Sequence, residues 1–208
     1  MGGLTLDDLP SEFRSRFVHF TEVCEGDVDF LYELRSNLRG AHLSDSVDRR
    51  THEAFLAARI HDRQVRHHER YFILRDPQTS VRHGAVRVTR LDDPTAVGWE
   101  SLIVEPDASP TLAIDAILSV YSLAFQVLER QRLGPWRVRT SNAQMLRLHE
   151  RLGFVSPQSA KEPESTEEYT WLLVEAENFQ RDFPRWSRLG FGQFRYPSSW
   201  NKEILERQ

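Results

Sequence analysis

Hydrophobic residues recur along the chain with two different spacings, and these predict where strands and helices lie. Residues 71–74, 84–91 and 98–104 are short runs rich in apolar, strand-favouring side chains. The polar segments between them contain Asp-Pro turn signals. Three strands joined by short turns predict an antiparallel meander.

Helical spacing predominates upstream of the meander, after one predicted strand at residues 17–23. The first predicted helix covers residues 26–38 and the second covers residues 50–61. Their predicted buried faces are Val28, Leu31, Leu34 and Leu38 in the first, and Ala54, Phe55, Ala58 and Ala57 in the second. The charged residues 63–70 read as a linker or as a frayed helix end. The first dozen or so residues are polar and indicate a loose lead-in.

The longest apolar stripe predicts one long helix, capped by Ser109 with Pro110 in its first turn. A strand at residues 136–141, a helix at 142–152 and a strand at 168–176 follow. The stripe consists of Leu112, Ala116, Ile117, Val120, Leu123, Ala124, Val127 and Leu128. The polar segment 156–168 reads as a loop, and the aromatic tail after it reads as a helix and loop packed on the body.

This order of elements predicts a mixed α/β fold in one domain, residues 1–208, with a core at 14–176 and an aromatic-rich C-terminal extension at 177–208. A formal charge of −4 argues against a nucleic-acid partner. The single cysteine, Cys24, supports neither an internal disulfide nor a cysteine metal site, and we expect no metal. With no signal peptide and no apolar run of ~20 residues, we expect no membrane association and a cytoplasmic protein.

Residues 140–154, TSNAQMLRLHERLGF, combine groups that suit a binding site. Asn142 opens a predicted helix and His149 lies seven residues later, which is nearly two turns and the same helix face. Gly153 suits a left-handed helix exit, and Phe154 an apolar plug beyond it. Each residue also has a plain structural explanation, because Asn is a common N-cap and Gly a common helix stop.

From Gly98 to Phe154, the order of strand, loop, long helix, strand, Asn-led helix and Gly-Phe resembles the GNAT acetyltransferases. Members of that family transfer an acetyl group from acetyl-CoA to an amine, on a mixed, largely antiparallel sheet flanked by helices. Asn142, Met145 and His149 stand where the family commonly has an asparagine, a small or apolar residue and a tyrosine. Val104 and Pro106 match the family's valine-x-proline strand ending. The resemblance therefore implies two parted strands that receive the thioester arm of acetyl-CoA.

The resemblance also implies which residues hold the donor. The main chain of Ile103 and Val104 would pair with the pantetheine arm, and Asn142 would hold a polar part of it. The phosphates would lie on the helix start, at Ser109, Thr111, Leu112 and Ala113. The family's loop carries a basic or glutamine residue and two glycines there, whereas this chain has neither, and Pro110 lacks an N–H donor. A weaker or altered donor pose, or another acyl group, therefore stays open.

Two residues are candidates for proton transfer. Glu100 is the predicted base, expected on the same strand face as Leu102 and Val104, where burial would raise its pKa. The alternative places Glu100 in solvent, paired with an arginine. His149 is the predicted acid in the position of the family's tyrosine. Its alternative is a packing role, with water as the proton source.

Arg35, Asn37 and His42 are the predicted acceptor-binding residues, because the fold that the resemblance implies places substrate near its first helix. Each alternatively belongs to a solvated helix end. The pattern is similar to enzymes acting on amino sugars of nucleotide-linked saccharides. The predicted function is an N-acetyltransferase for a small-molecule amine, acting as a monomer or homodimer. The alternative is a degenerate ligand- or partner-binding protein without catalysis.

Overall fold

The computed structural model describes residues 9–37, 48–153 and 168–194, and its centre is one seven-stranded sheet. The strands lie in chain order, and every neighbouring pair is antiparallel except the fifth and sixth, which are parallel. They are β1 (Glu12–Arg14), β2 (His19–Glu22), β3 (Arg70–Arg75), β4 (Arg82–Thr89), β5 (Ala96–Val104), β6 (Arg132–Arg139) and β7 (Tyr169–Glu175). The predicted meander is confirmed as β3 to β5.

Within the described residues, six α-helices cover the two faces of this sheet. They are α1 (Val28–Asn37), α2 (Arg49–His61), α3 (Arg63–His68), α4 (Pro110–Ser122), α5 (Ala143–Arg151) and α6 (Ala176–Ser187). Alternation along β3 shows the two layers, because Phe72 enters a larger apolar cluster and Ile73 enters a smaller one on the opposite face. The larger cluster includes α4 and α6, and the smaller includes α1 and α2.

The predicted long helix is correct in its start but not in its regularity. Ser109 is its N-cap and Pro110 its first residue, as predicted. The α-helix ends at Ser122 and continues as a π-helical turn, Leu123–Val127, in which the Leu128 N–H donates to the Leu123 carbonyl at 2.9 Å. Apolar spacing did not reveal this change, because the buried stripe continues through the turn.

The stretch Pro110–Val127 has 18 residues and is apolar enough, by length and composition alone, to cross a membrane. No apolar stretch approaching that length was expected from the sequence. Most of the stretch is buried inside the fold, and the core helix of a soluble protein passes the same test. Its apolar character is therefore explained by its place in the larger cluster.

Helix α2 buries a different face from the one predicted. His52 and Leu56 are buried, whereas Ala54 and Ala57 are exposed. Phe55 is half-buried against the smaller cluster, as predicted. Alanine is a weak marker of a buried face, and a histidine four residues before a buried leucine was not counted as part of one.

The C-terminal segment packs onto the body through its aromatic residues, as predicted. Phe179, Phe183 and Phe191 all belong to the larger cluster. Asp115, fully buried in α4, accepts hydrogen bonds from Ser15 Oγ (2.5 Å), the Phe17 N–H (2.8 Å) and the Gly192 N–H (2.7 Å). One carboxylate thus joins both ends of the described chain to the central helix. Tyr196 and Trp200 lie outside the described residues.

The first residues of the chain are not wholly a loose lead-in. Strand β1 pairs with β2 from Glu12 to Arg14, and Phe13 stacks on Phe20 with ring centroids 4.3 Å apart. A three-residue strand is too short for its alternation to be recognised in the sequence. The predicted loop at 156–168 lies, up to residue 167, outside the described residues, as does Phe154.

Candidate active site

Strands β5 and β6 separate soon after they begin. They pair only at Ala96–Arg132 and Val97–Leu133, although β5 runs to Val104 and β6 to Arg139. We call the space between their remaining lengths the fork. Throughout the ranges that the structure describes, no further ladder pairs join these two strands. The predicted parting of two strands is thus present.

Local sequence explains why the ladder stops at this point. Gly134 and Pro135 follow Leu133 in β6, and together they oppose the single residue Leu173 on β7, so β6 carries a bulge. Pro135 has no N–H to donate to β5. Gly134 has a φ of +108°, and a Cβ there would lie 2.6 Å from the Trp136 ring. Glycine is therefore required where β6 turns away.

Three aromatic rings occupy the base of the fork. Trp99 on β5 lies 5.3 Å from Trp136 on β6, and His149 on α5 lies 5.5 Å from Trp99 and 5.8 Å from Trp136, measured between ring centroids. His149 is 1% exposed. Burial lowers the pKa of His149 to about 3, because desolvation disfavours the imidazolium.

This environment changes the expectation for His149. With a pKa of about 3, His149 is neutral at physiological pH, and this does not favour the predicted role of an imidazolium acid. The geometry agrees with the alternative stated from the sequence, in which His149 replaces the family's tyrosine as a packing residue. The seven-residue spacing from Asn142 predicted the helix face of His149 but not how deeply its side chain is buried.

A second bulge lies in β5. Ala85 faces Ile103 and Arg87 faces Glu100, so the single residue Val86 opposes both Ser101 and Leu102. Ser101 has a φ of +53°, in the left-handed region that a bulge can impose. The extra residue reverses the alternation of side chains along the rest of the strand.

The bulge corrects the expected position of Glu100. Leu102 and Val104 pack against the larger cluster, whereas Ile103 enters the smaller one. Glu100 pairs with Arg87, whose guanidinium also pairs with Glu69. Glu100 therefore lies on the α1–α2 face, opposite to Leu102 and Val104, with 53% of its side chain exposed. Simple alternation failed because it assumes one residue per partner residue.

The free edge of β5 presents the main chain of Val104 to the fork. The Glu105 N–H donates to the His83 carbonyl of the β4 side at 2.8 Å. Main-chain groups of successive residues in a strand point to opposite edges, so the N–H and C=O of Val104 point away from β4. By the same alternation, Ile103 directs its main chain to β4. Of the two predicted pantetheine contacts, geometry favours Val104.

The start of α4 is already hydrogen-bonded internally. Ser109 Oγ accepts from the Thr111 N–H at 3.3 Å, and the Ser109 carbonyl accepts from the Leu112 N–H at 2.9 Å. Pro110 has no N–H, and the Ser109 and Thr111 hydroxyls lie 2.7 Å apart. Ala113 is half-buried one position further on. A phosphate placed here would have to displace the capping contacts of Ser109.

Asn142 and Gly153 mark the two ends of α5. Asn142 is the N-cap, and its Oδ1 accepts from the Met145 N–H at 3.2 Å. Its NH2 group is a donor that the cap does not use. Gly153 has a φ of +90°, as expected for a left-handed helix exit. Asn142 therefore caps the start of α5 and Gly153 ends it. The Asn142 cap leaves its amide nitrogen for a ligand.

The predicted acceptor-binding residues differ in their placement. Arg35 Nη2 donates to Ser101 Oγ at 3.0 Å, which brings α1 onto the β5 bulge. Asn37 is exposed at the end of α1, and His42 lies outside the described residues. His52 was missed from the sequence, yet it is 2% exposed and packs against Tyr32 with centroids 5.8 Å apart. Its i, i+4 spacing from the buried Leu56 was the available signal.

Comparisons with known proteins identify the fold. No family model matches the sequence, and no curated protein matches it. The structure of apo FdhC, a nucleotide-linked sugar GNAT, superposes with a TM-score of 0.73 at 17% identity, over 88% of this chain and 99% of that one. This chain has the GNAT fold.

Two further solved acetyltransferase structures are similar at lower TM-scores. A GCN5-related N-acetyltransferase from Brucella melitensis gives a TM-score of 0.62 at 18% identity, over 82% of this chain and 83% of that one. Spermidine N-acetyltransferase from Vibrio cholerae, in complex with CoA and spermine, gives 0.60 at 16% identity, over 78% and 98%. The predicted mixed, largely antiparallel sheet and its resemblance to GNAT proteins are confirmed at the level of the fold.

Proposed function

We propose that this protein is an N-acetyltransferase that moves an acetyl group from acetyl-CoA directly to a primary amine. The observation that carries the proposal is the fork, where the free edge of β5 lies next to the Ser101 bulge. A strand edge without a sheet partner can pair with an extended ligand as if it were an added strand. Proteins of the same fold that act on amines support the reaction type.

In this proposal the donor enters the fork as an extended arm. The Val104 N–H and C=O bind the pantetheine, with Ile103 as its strand neighbour, and the Asn142 NH2 group binds a polar group of the arm. Ser109, Thr111, Leu112 and Ala113 receive the phosphates at the start of α4. The similar structure that contains CoA supports the choice of donor.

The proposed chemistry assigns one proton transfer to this chain. Glu100 accepts a proton from the ammonium of the acceptor, and the resulting amine forms a bond to the thioester carbonyl carbon. The attached nitrogen then loses its second proton to water as the C–S bond breaks, and CoA leaves as a thiolate, which takes up a proton from water. Exposure of Glu100 beside the bulge lets solvent and acceptor reach its carboxylate. His149 holds the base of the fork as a neutral side chain.

The acceptor is a small-molecule amine such as an amino sugar, and we place the reaction in the cytoplasm.

One observation favours a second function, binding without catalysis. The loop before α4 contains Glu105 and Asp107 and no glycine, and its helix-start N–H groups are capped by Ser109. Such a loop is a poor phosphate cradle.

Donor binding and turnover separate these two functions. Acetyl-CoA is expected to raise the melting temperature of the protein, and free thiol is expected to appear when an amine is added. Val104→Pro removes the N–H that faces the fork, so the thermal shift with acetyl-CoA should fall while the fold is retained. Ile103→Pro is the contrasting variant, because it removes an N–H directed to β4 and should lower stability itself. No thermal shift at saturating acetyl-CoA would leave binding without acetyl transfer as the function.

A further inference from the structure

Arg35 differs from four other arginines on the α1–α2 face of the sheet. Arg59 and Arg87 pair with Glu69, and Arg75 and Arg82 pair with Asp27. Arg35 is half-buried and donates to Ser101 Oγ, a neutral acceptor. It has no ion pair with a carboxylate in residues 9–37, 48–153 or 168–194. Its Nε is buried there with no hydrogen-bond partner.

This arrangement is costly for the protein alone. A guanidinium taken partly out of water loses hydration, and one hydroxyl compensates for only part of that loss. On this face the fold supplies a carboxylate to the four other arginines named above, so the missing partner at Arg35 among the described residues is a local feature. A bound anion would provide the charge and the additional acceptors.

His52 adds a second uncompensated polar group at the same place. Its Nε2 is buried without a hydrogen-bond partner among the described residues, and the side chain packs against Tyr32, which lies three residues before Arg35 on α1. Burial and the positive charge of Arg35 lower the pKa of His52, so the imidazole is predominantly neutral near pH 7. A neutral imidazole with its proton on Nε2 can donate a hydrogen bond to an anion.

We propose that Arg35, Ser101 and His52 form an anion subsite, so that the amine acceptor carries a phosphate or carboxylate group. This inference rests on the proposed function, in which the acceptor is the amine that receives the acetyl group. Ser101 lies in the β5 bulge directly after Glu100, the proposed base, so the subsite is adjacent to the reacting amine. Arg35 anchors the anion, and Ser101 and His52 position it.

The charges around the subsite favour an anionic acceptor over a polyamine. Glu100 is paired with Arg87, and Glu69 with Arg59 and Arg87, so these carboxylates are already balanced. A second ammonium group of a polyamine would meet the positive charge of Arg35, which has no carboxylate partner among the described residues, and be repelled. The chemistry at this position therefore differs from what spermine would require.

Three amino sugars with the same ring and amine test the subsite. Glucosamine is neutral apart from its amine, glucosamine 6-phosphate adds a phosphate, and muramic acid adds a carboxylate. Isothermal titration in the presence of CoA is expected to show about tenfold or tighter binding of at least one anionic sugar than of glucosamine. The phosphate and the carboxylate arms show which anion the subsite takes.

Variants assign the preference to Arg35. Arg35→Gln should remove at least about tenfold of the affinity for the preferred anionic sugar and leave glucosamine within about twofold. Arg35→Lys keeps the charge and should keep part of the preference. Arg50→Gln, an exposed arginine on the first turn of α2, is the matched control and should change nothing. His52→Phe should weaken the anionic sugar alone.

The outcomes separate this inference from the proposed function. Equal binding of the three sugars, no binding of any, or an equal loss of all three in Arg35→Gln overturns the subsite. If acetyl-CoA gives no thermal shift while the anion preference depends on Arg35, the subsite stands and acetyl transfer is wrong. If acetyl-CoA binds and neutral amines or polyamines are the better acceptors, acetyl transfer stands and the subsite is wrong.

Discussion

Trp99 and Trp136 meet edge to face at 5.3 Å and 83°, one on each of the two strands that part. Trp99 is 3% exposed and Trp136 is 7% exposed. Because the main-chain ladder between β5 and β6 ends two residue pairs after it starts, this side-chain contact is what holds the strands together above the ladder. The contact therefore closes the base of the fork.

Trp136→Ala should cost about 3–5 kcal/mol in the free energy of unfolding, because it removes a large buried ring next to the end of the ladder. Urea unfolding followed by fluorescence or circular dichroism measures this loss. Trp136→Phe keeps a ring and should cost roughly 1–2 kcal/mol. Val81→Ala, at a 51% exposed site, is the control and should have little effect. A cost for Trp136→Ala equal to that control would contradict the packing role.

His149 should make the protein less stable in mild acid. Its pKa is about 3 in the folded protein and about 6.5 in the unfolded chain, so the unfolded state binds the extra proton as pH falls below 6.5. The stabilising contribution is complete above that pH and is lost progressively towards pH 3. Between pH 8 and pH 5 the loss amounts to about 2 kcal/mol.

His149→Phe should lose this part of the pH dependence, because it has no proton to bind. Unfolding free energies of both proteins at pH 8 and pH 5 give the comparison. His61→Gln, at an exposed histidine on α2, should retain the wild-type dependence. An NMR titration in which the His149 ring protonates near pH 6.5 would refute its buried, neutral state.

Glu100→Gln should lower turnover by roughly 10²–10⁴-fold if Glu100 is the base, with little change in acetyl-CoA affinity. Acetyl-CoA affinity should change little because the carboxylate lies on the α1–α2 face, away from Leu102 and Val104 on the fork side. Glu53→Gln is the matched control, since Glu53 is also an exposed glutamate paired with an arginine. Thiol-release kinetics and thermal shift measure the two quantities. Wild-type turnover in Glu100→Gln would remove this residue from the mechanism.

Asp115→Asn should destabilise the protein by about 2–4 kcal/mol and loosen its C-terminal segment. Both carboxylate oxygens accept main-chain N–H groups, from Phe17 and Gly192, so the amide nitrogen of asparagine would face a donor. Urea unfolding gives the stability, and limited proteolysis gives the release of the segment after α6. Asp29→Asn, at an exposed site, should leave the cleavage pattern unchanged.

Several elements follow from local sequence alone. The meander of β3 to β5 follows from short strand-favouring runs separated by turn signals, and Ser109 with Pro110 correctly marks the start of α4. Asn142 and Gly153 mark the ends of α5 as their residue types predict. These predictions succeed because caps and turns depend on the backbone preferences of neighbouring residues.

The faces of side chains and the depth of burial were decided by the tertiary structure. The bulge at Ser101 exists only because β4 offers one residue opposite two, and it placed Glu100 on the other face. His149 acquired its low pKa from Trp99 and Trp136, which come from distant parts of the chain. His52 packs against Tyr32 because two helices pack together.

The sequence by itself determined the order of the central strands and helices, their caps and the presence of an Asn-to-His helix after β6. Only the tertiary structure decided where β5 and β6 part, which charged side chains form ion pairs and which polar side chains are buried. The physical reason is range: backbone preference acts over a few residues, whereas register, desolvation and ion pairing depend on which distant residues the packed sheet brings together.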